Sequence, residues 1–310
     1  MCFTPLEEKE HLSNHLGIEL YIKRDDYFPM SGGGNKARKI WYIVDYAIKN
    51  GYDALVTNGG IQSNHARAAA LAAAEKGLKC KLVLHGDKRK AHKLEGNLLL
   101  MHLADADIEV VPLSQLSEAM DRSMEELRAK GLNPLYVWGG GHCVQGALAY
   151  YEAVKEFNKQ ARNWQPDYVL FASGTGTTQA GLSVGFADRN TKVIGVSVAR
   201  EKERGEVVIR SAVDEIADYL EISKNIDIDF RDDWIGDGYE KFDHTVIENI
   251  KIAAKYDGLI LDPTYTGKAF TGLVDMVKSG EIEKGSKVLF WHTGGILNLM
   301  ASETFTEKVL

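Results

Sequence analysis

Cysteine is scarce: Cys2, Cys80 and Cys143 are all that the 310 residues contain. An odd number at those spacings makes neither a zinc site nor a disulfide framework, so a reducing cytosol is the simplest home. Long apolar runs are missing as well. No uninterrupted stretch approaches the ~20 residues needed to cross a bilayer, which excludes a membrane-spanning helix. The N-terminal segment lacks a basic stretch followed by an apolar run, so it does not resemble a signal peptide. Basic charge is in deficit, with 37 Lys and Arg against 44 Asp and Glu and a formal net charge of −7. That balance argues against a broad nucleic-acid-binding face. Low-complexity tracts, internal repeats and long linkers are absent too.

What is present is an ordinary globular composition, 45% hydrophobic and 26% charged. A chain of this length buries about 75% of its unfolded surface, in one large core or two smaller ones. Short apolar runs at 53–57, 80–84, 108–112 and 135–138 predict strands, each separated from the next by a helical stretch. The second half repeats the rhythm at 168–172, 193–198, 258–261 and 287–291. Such alternation defines the α/β class, with mostly parallel sheets covered by helices on both faces. Two groups of strands predict two open-sheet α/β domains with a cleft between them.

Two helices carry their own boundary signals. Ser63 caps an Ala-rich helix that ends at Gly77. Beyond Asn35, the residues Ile40, Ile43, Val44, Ala47 and Ile48 recur at helical spacing, with Asn35 able to cap the start and Gly51 able to end it. Lys36 therefore falls in the first turn of a half-buried helix. A lysine there is ordinarily solvated, but its neighbours change the odds.

Gly32-Gly33-Gly34-Asn35-Lys36 sets three glycines before a helix, without the spacing of a P-loop. Ser173-Gly174-Thr175-Gly176-Thr177-Thr178 is sharper. It follows a strand and opens a helix, so its N–H groups and hydroxyls can converge on an anion. The third glycine and acidic residue of a dinucleotide fingerprint are unconvincing here, and the hydroxyls suit a phosphate monoester better. Asn58-Gly59-Gly60-Ile61-Gln62-Ser63-Asn64-His65 is another strand-to-helix corner, either a plain capped turn or a carboxylate pocket. Tyr265-Thr266-Gly267-Lys268 and His292-Thr293-Gly294-Gly295 have the same polar, glycine-rich character. Ligands of α/β sheets bind beyond the carboxyl ends of the strands, where such corners gather.

Taken in order, GGGNKARK, GGIQSNHAR, SGTGTT, DPTYTGKA and HTGG resemble the fold-type II enzymes that use pyridoxal 5'-phosphate (PLP), the tryptophan synthase β-subunit superfamily. More narrowly they resemble the branch holding D-cysteine desulfhydrase and 1-aminocyclopropane-1-carboxylate (ACC) deaminase. The resemblance runs from Thr4-Pro5-Leu6 and the 21–26 segment to Gly295, nearly the whole chain. It implies a larger PLP-binding domain of residues 1–41 with 151–310, a smaller α/β domain of 42–150, and the cofactor in the interdomain cleft. A homodimer is the family's usual assembly.

The same resemblance places the Schiff-base lysine at Lys36, with Asn35 beside it among the cofactor contacts. It puts the cofactor phosphate on Gly174, Thr175, Gly176, Thr177 and Thr178. Asn64 matches the residue that hydrogen-bonds the cofactor's ring hydroxyl. Gln62, Ser63, Asn64 and His65 make the substrate corner, with Gln62 and Ser63 facing the carboxylate or the reacting carbon. Tyr239 and Tyr265 match the two active-site tyrosines, Tyr265 also facing the substrate, and residues 23–26 match a segment of structural role. At Thr266 ACC deaminases carry a glutamate that keeps the pyridine nitrogen protonated, and at Thr293 an apolar residue. Here two hydroxyls could meet that nitrogen, as in the desulfhydrase pattern. One corner departs: His142-Cys143 stands where small polar residues are usual.

Physical chemistry agrees with these assignments. Burial beside a cationic imine and polar corners depresses a lysine from its ordinary ~10.4 toward neutrality, so that the amine can take a Cα proton. A neutral-leaning pyridine ring is a weaker electron sink, which suits loss of a β leaving group better than cyclopropane opening. The expectation is a cytoplasmic enzyme with a small amino-acid substrate and no nucleic-acid or membrane partner. It converts D-cysteine, or a related β-substituted amino acid, to pyruvate, ammonia and hydrogen sulfide. L-Cysteate desulfonation, ACC deamination and a biosynthetic β-replacement are alternatives on the same fold. A PLP-binding protein without turnover and a nucleotide-dependent dehydrogenase are the rivals from other classes.

Overall fold

The computed structural model describes residues 3–309, so Cys2 lies outside the described residues; Cys80 and Cys143 are free thiols. The chain opens with β1 (Leu6–Glu8), α1 (Glu10–Leu16), β2 (Glu19–Arg24) and α2 (Gly34–Lys49). Then come β3 (Ala54–Gly60), α3 (Asn64–Lys76), β4 (Lys79–His85), α4 (Gly96–Leu103), β5 (Asp107–Val111), α5 (Leu116–Ala129) and β6 (Pro134–Val137). The next group is α6 (Val144–Ala161), β7 (Tyr168–Ser173), α7 (Thr177–Phe186), β8 (Lys192–Ser197), α8 (Lys202–Leu220) and β9 (Asp229–Arg231). The chain closes with α9 (His244–Asp257), α10 (Thr266–Ser279), β10 (Lys287–His292), α11 (Ile296–Met300) and α12 (Glu303–Val309).

Two sheets result. One has six strands in the order β1-β2-β10-β7-β8-β9, the other four in the order β5-β4-β3-β6. Every pairing is parallel except β1 on β2. Central strands such as β7 (YVLFAS) and β10 (KVLFWH) read as continuous apolar runs because both faces are covered. On one face of the larger sheet Leu20, Ile22, Leu170 and Phe290 pack against α9 and α10; on the other Phe171, Leu289 and Trp291 meet Tyr150 and Phe157 of α6. In the smaller sheet, the alanines of α3 let it lie closely against α2 and β3.

Helix α3 has the predicted ends: Ser63 Oγ accepts from Ala66 N at 3.1 Å, and Gly77 closes it with φ 71°. The strand predicted at 258–261 is not formed. Leu259 and Leu261 are buried there, but the backbone leaves the left-handed Gly258 cap of α9 and finds no ladder. The Ile260 carbonyl instead accepts from His292 Nε2 at 2.8 Å. Three strands escape the sequence pattern: β1 and β9 span only three residues each, and β2 ends in two charged residues.

Those charges are buried in an ionic network. Asp25 accepts from Thr4 Oγ1 (2.8 Å), Arg38 Nε (3.0 Å) and Nη2 (2.8 Å), Tyr150 (2.7 Å) and Trp291 Nε1 (2.9 Å). Glu156 pairs with Lys23 and with Arg38 Nη1. Burial alone would raise the Asp25 carboxyl, but Arg38, then Lys23 and Tyr150, bring it down to about 2. Arg38 sits two residues beyond Lys36, so this network fixes the helix that presents that lysine. Among the described residues no helix is long and apolar enough to cross a membrane.

Candidate active site

The glycine run before Lys36 exists for geometric reasons. Gly32, Gly33 and Gly34 have φ of 82°, 43° and 89°, and a Cβ on Gly33 would lie 2.0 Å from the Asp26 carbonyl oxygen. The loop therefore turns tightly, and α2 starts at Gly34 with Gly33 as its N-cap. Asn35 does not cap this helix, as its position suggests it could. Its backbone N–H donates to Thr293 O (2.9 Å) and its side chain to Thr178 Oγ1 (3.2 Å), stitching α2 to the end of β10 and the first turn of α7.

Lys36 is partly buried and Lys39, one turn on, fully so. Burial pulls Lys36 down to about 8; a hydrogen bond with Lys39 opposes this and Arg200 adds to it. Lys39 is driven well below the usual lysine range by burial and by the Lys36 charge, and its Nζ donates to Gly140 O at 3.4 Å. Arg200 Nη1 donates to Gly174 O at 2.6 Å. Lys36, Lys39 and Arg200 make no ion pair among the described residues. The composition of this corner is that of a site for an external anion.

The 173–178 segment supplies the rest of that site. Gly176, with φ 82°, is the N-cap of α7, so the helix N–H groups open beside Gly174, whose carbonyl Arg200 holds. Ser173 Oγ and Thr175 Oγ1 are buried and have no hydrogen-bond partner among the described residues. Thr177 Oγ1 is 2.9 Å from His142 Nδ1, on the turn after β6, and Thr178 receives Asn35. Burial lowers the His142 imidazole, Lys39 and Arg200 push the same way, and Glu215 opposes. Two partnerless hydroxyls, a helix N-terminus and unpaired cations are what a phosphate monoester requires, so these residues fit PLP. The departure at His142-Cys143 thus places His142 against the 173–178 loop.

The substrate corner is more divided. Ser63 caps α3, and Gly59 is glycine because a Cβ would fall 2.4 Å from Ser63 Oγ. Asn64 is gripped at both ends, donating to Asn298 Oδ1 and accepting from Asn97 Nδ2 at 3.0 Å. Gln62 is spent elsewhere: its Oε1 accepts from Asn97 N (2.9 Å) and its Nε2 donates to Glu95 O (3.2 Å). His65 is 2% exposed. Thr57 Oγ1 donates to Val137 O (2.7 Å), so it accepts from His65 Nε2 (2.8 Å) and leaves Nδ1 without a partner. Burial, Lys36 and Lys39 push this imidazole down to about 3, keeping it neutral.

At the other end of the site, Tyr239 and Tyr265 share a hydrogen bond between hydroxyls, with ring centroids 6.0 Å apart. Burial raises both phenols, Tyr239 to about 12 and Tyr265 well above the ordinary phenol range. Thr266 Oγ1 donates to Asp262 Oδ1 (2.8 Å) and accepts from Asp262 N (2.9 Å). The Thr266 proton is thereby committed to Asp262. Thr293 is 7% exposed and its carbonyl holds α2. Sequence reasoning missed Lys39, Arg200, Asn97, Asn298 and Arg67, whose Nη2 donates to Gly33 O at 2.9 Å. Lys39 and Arg67 lie within quoted motifs, but nothing in the sequence marks Asn97, on α4, as reaching Asn64. A surface crevice of about 1230 Å³ opens at the starts of β7, β8 and β9 and contains none of these residues.

Residues 2–294 match the family model described as "Pyridoxal-phosphate dependent enzyme". The chain belongs to that family and uses PLP. Within it, the D-cysteine desulfhydrase of Klebsiella pneumoniae (strain 342) is 36% identical over 305 residues, covering 96% of this chain and 93% of that protein. A solved ACC deaminase homologue superposes with a TM-score of 0.91 at 33% identity, covering 100% of this chain and 94% of the other. The processed form of threonine deaminase isoform 2 from Solanum lycopersicum shares the fold, with a TM-score of 0.70 at 19% identity over 99% of this chain and 86% of the other.

Proposed function

We propose that this enzyme removes sulfide from D-cysteine, giving pyruvate, ammonia and hydrogen sulfide with uptake of one water. The observation that carries the reading is the 173–178 loop, whose Ser173 and Thr175 hydroxyls are partnerless among the described residues and whose Gly174 carbonyl is held by Arg200, the same arginine that acts on Lys36. The 36% identity to the Klebsiella pneumoniae desulfhydrase supports the choice of substrate. PLP, when bound, supplies an aldehyde for amines and an electron sink for the bond broken at Cα.

The chain's own residues do the rest. Lys36 is the covalent attachment point and, once released as a neutral amine, takes the Cα proton on Nζ; its depressed pKa of about 8 favours that state. Gly174, Thr175, Gly176, Thr177, Thr178 and Asn35 hold the phosphate side. Asn64, locked by Asn97 and Asn298, orients the cofactor ring. Ser63 and the N–H groups opening α3 hold the substrate carboxylate. Tyr239 and Tyr265 keep their protons at neutral pH, so either can protonate the departing sulfur. Thr266 and Thr293 would meet the ring nitrogen; with its own proton given to Asp262, the Thr266 hydroxyl would accept from a protonated nitrogen, so this bond does not favour the neutral-leaning ring expected from two hydroxyls.

The domain division follows the sheets: residues 42–150 carry β3 to β6, and 1–41 with 151–310 carry the other strands. The cofactor lies in the cleft between these domains, in a cytosolic homodimer. The ACC deaminase homologue at 33% identity supports a second reading, cyclopropane ring opening to 2-oxobutyrate. A screen of 2-oxo-acid and sulfide release across D- and L-cysteine, β-chloroalanine, cysteate, serine and ACC separates them. Equal pyruvate and sulfide from D-cysteine is expected. Turnover of ACC with none of D-cysteine would overturn the proposal, and release from no substrate would leave a carrier of the cofactor.

A further inference from the structure

Lys268 is a buried cation that the reaction does not use. It lies in the first turn of α10 and is 1% exposed. A positive charge is unfavourable there, because the helix N-terminus is itself positive. Burial brings the amine down to about 8, with Asp243 and Asp262 acting in the other direction. Neither carboxylate pairs with it, and its Nζ donates to three backbone carbonyls: Val198 O (3.2 Å), Ile235 O (2.6 Å) and Gly238 O (2.9 Å). A lysine kept in so costly a position for backbone partners alone is holding those partners in place.

Two of the three carbonyls belong to the loop between β9 and α9, immediately before Tyr239. That loop has little else to fix it. Gly236, Gly238 and Glu240 have φ of 62°, 113° and 60°, and Cβ atoms on either glycine would meet nothing within 4 Å. Tyr239 itself is 46% exposed. The loop's internal turns are Ile235 N to Asp232 O (3.2 Å), Gly238 N to Ile235 O (3.4 Å) and Lys241 N to Gly238 O (3.2 Å), and the last two use the acceptors that Lys268 grips. Further back the loop is tied by Trp234 Nε1 to Asp275 Oδ2 at 2.9 Å. The first turn of α10 thus presents Tyr265 to the Tyr239 hydroxyl and Lys268 to the backbone beneath it.

We infer that Lys268 is a positioning residue, an internal ammonium clip that curls residues 235–238 so that the Tyr239 hydroxyl meets Tyr265 over the site. This rests on the reading of Tyr239 as an active-site group. The test compares holoenzyme carrying Lys268→Met, Tyr239→Phe or both. Hydrogen exchange at the amides of Gly238 and Lys241 should quicken at least tenfold in Lys268→Met, with β10 and the middle of α10 unchanged. Each single variant should lower kcat at least tenfold, and the double variant should be no slower than the slower single within about twofold. Unchanged loop exchange, or losses that multiply in the double variant, would overturn the clip. Wild-type turnover in Tyr239→Phe would sink the reading of Tyr239 instead, and the exchange rates alone would then decide whether Lys268 holds the loop. If Lys268→Met does not fold, Lys268→Gln keeps an uncharged donor in the same space and carries the same comparison.

Discussion

Replacing Thr175 with valine should move two quantities in opposite directions. Thr175 Oγ1 is buried without a partner among the described residues, and a buried polar atom in that state costs about 1–3 kcal/mol. Valine has nearly the same shape, which matters because Gly140 packs so closely that a Cβ on it would lie 2.6 Å from Thr175 Cγ2. The cofactor-free protein should therefore be as stable as wild type or gain up to about 1–3 kcal/mol. The holoenzyme loses a hydroxyl aimed at a charged phosphate, worth about 1.5–3 kcal/mol, so the PLP dissociation constant should rise roughly 10- to 150-fold. Thr177→Val is the control, because that hydroxyl is already bonded to His142 Nδ1 at 2.9 Å and its loss should destabilise the apoprotein too. Urea unfolding of the apoproteins and PLP titration by fluorescence measure both quantities. A Thr175→Val protein that is less stable without cofactor yet binds PLP as wild type does would refute the reasoning.

Further outcomes follow from the charges around Lys36. The rate at which apoprotein captures PLP covalently should rise with pH and level off above a midpoint near 8, because only the neutral amine attacks and burial lowers its pKa to about 8. Stopped-flow absorbance reads this; a rate still climbing tenfold per pH unit at pH 10 would show an unperturbed lysine. Arg38→Met leaves Asp25 and Glu156 buried with only Lys23 as a cation, which should cost about 3–5 kcal/mol in denaturant unfolding. A loss below about 1 kcal/mol would mean that the network does not hold α2.

The parts of this molecule legible in the sequence are those governed by local rules. The Ser63 and Gly77 boundaries of α3 are set by side chain and backbone within one turn, and both are readable. Strands flanked by helices declare themselves through continuous apolar runs, except at 258–261, where burial without a neighbouring strand gives the same pattern. Strand β2 is hidden because Lys23 and Arg24 look like solvent-facing charges until Glu156 and Asp26, distant and near in sequence, neutralise them. The site divides in the same way. The 173–178 segment is contiguous, so its strand-to-helix turn and its hydroxyls are readable together. Gln62 stands in the substrate motif, yet its amide is taken by the backbone of 95–97, a partner 33 to 35 residues away. Asn35 could cap α2 by position, but the distant Thr178 hydroxyl claims its side chain.

The central claim is that Lys36 carries the cofactor. Lys39 makes the question a real one, since it stands one turn away, shares a hydrogen bond with Lys36 and is also driven well below the usual lysine range by burial. Borohydride reduction of the holoenzyme, followed by peptide mapping, fixes the cofactor to the lysine that bears it. The account predicts a single phosphopyridoxyl label, on Lys36, with loss of the visible absorbance. A label on Lys39 or on any other lysine would contradict it.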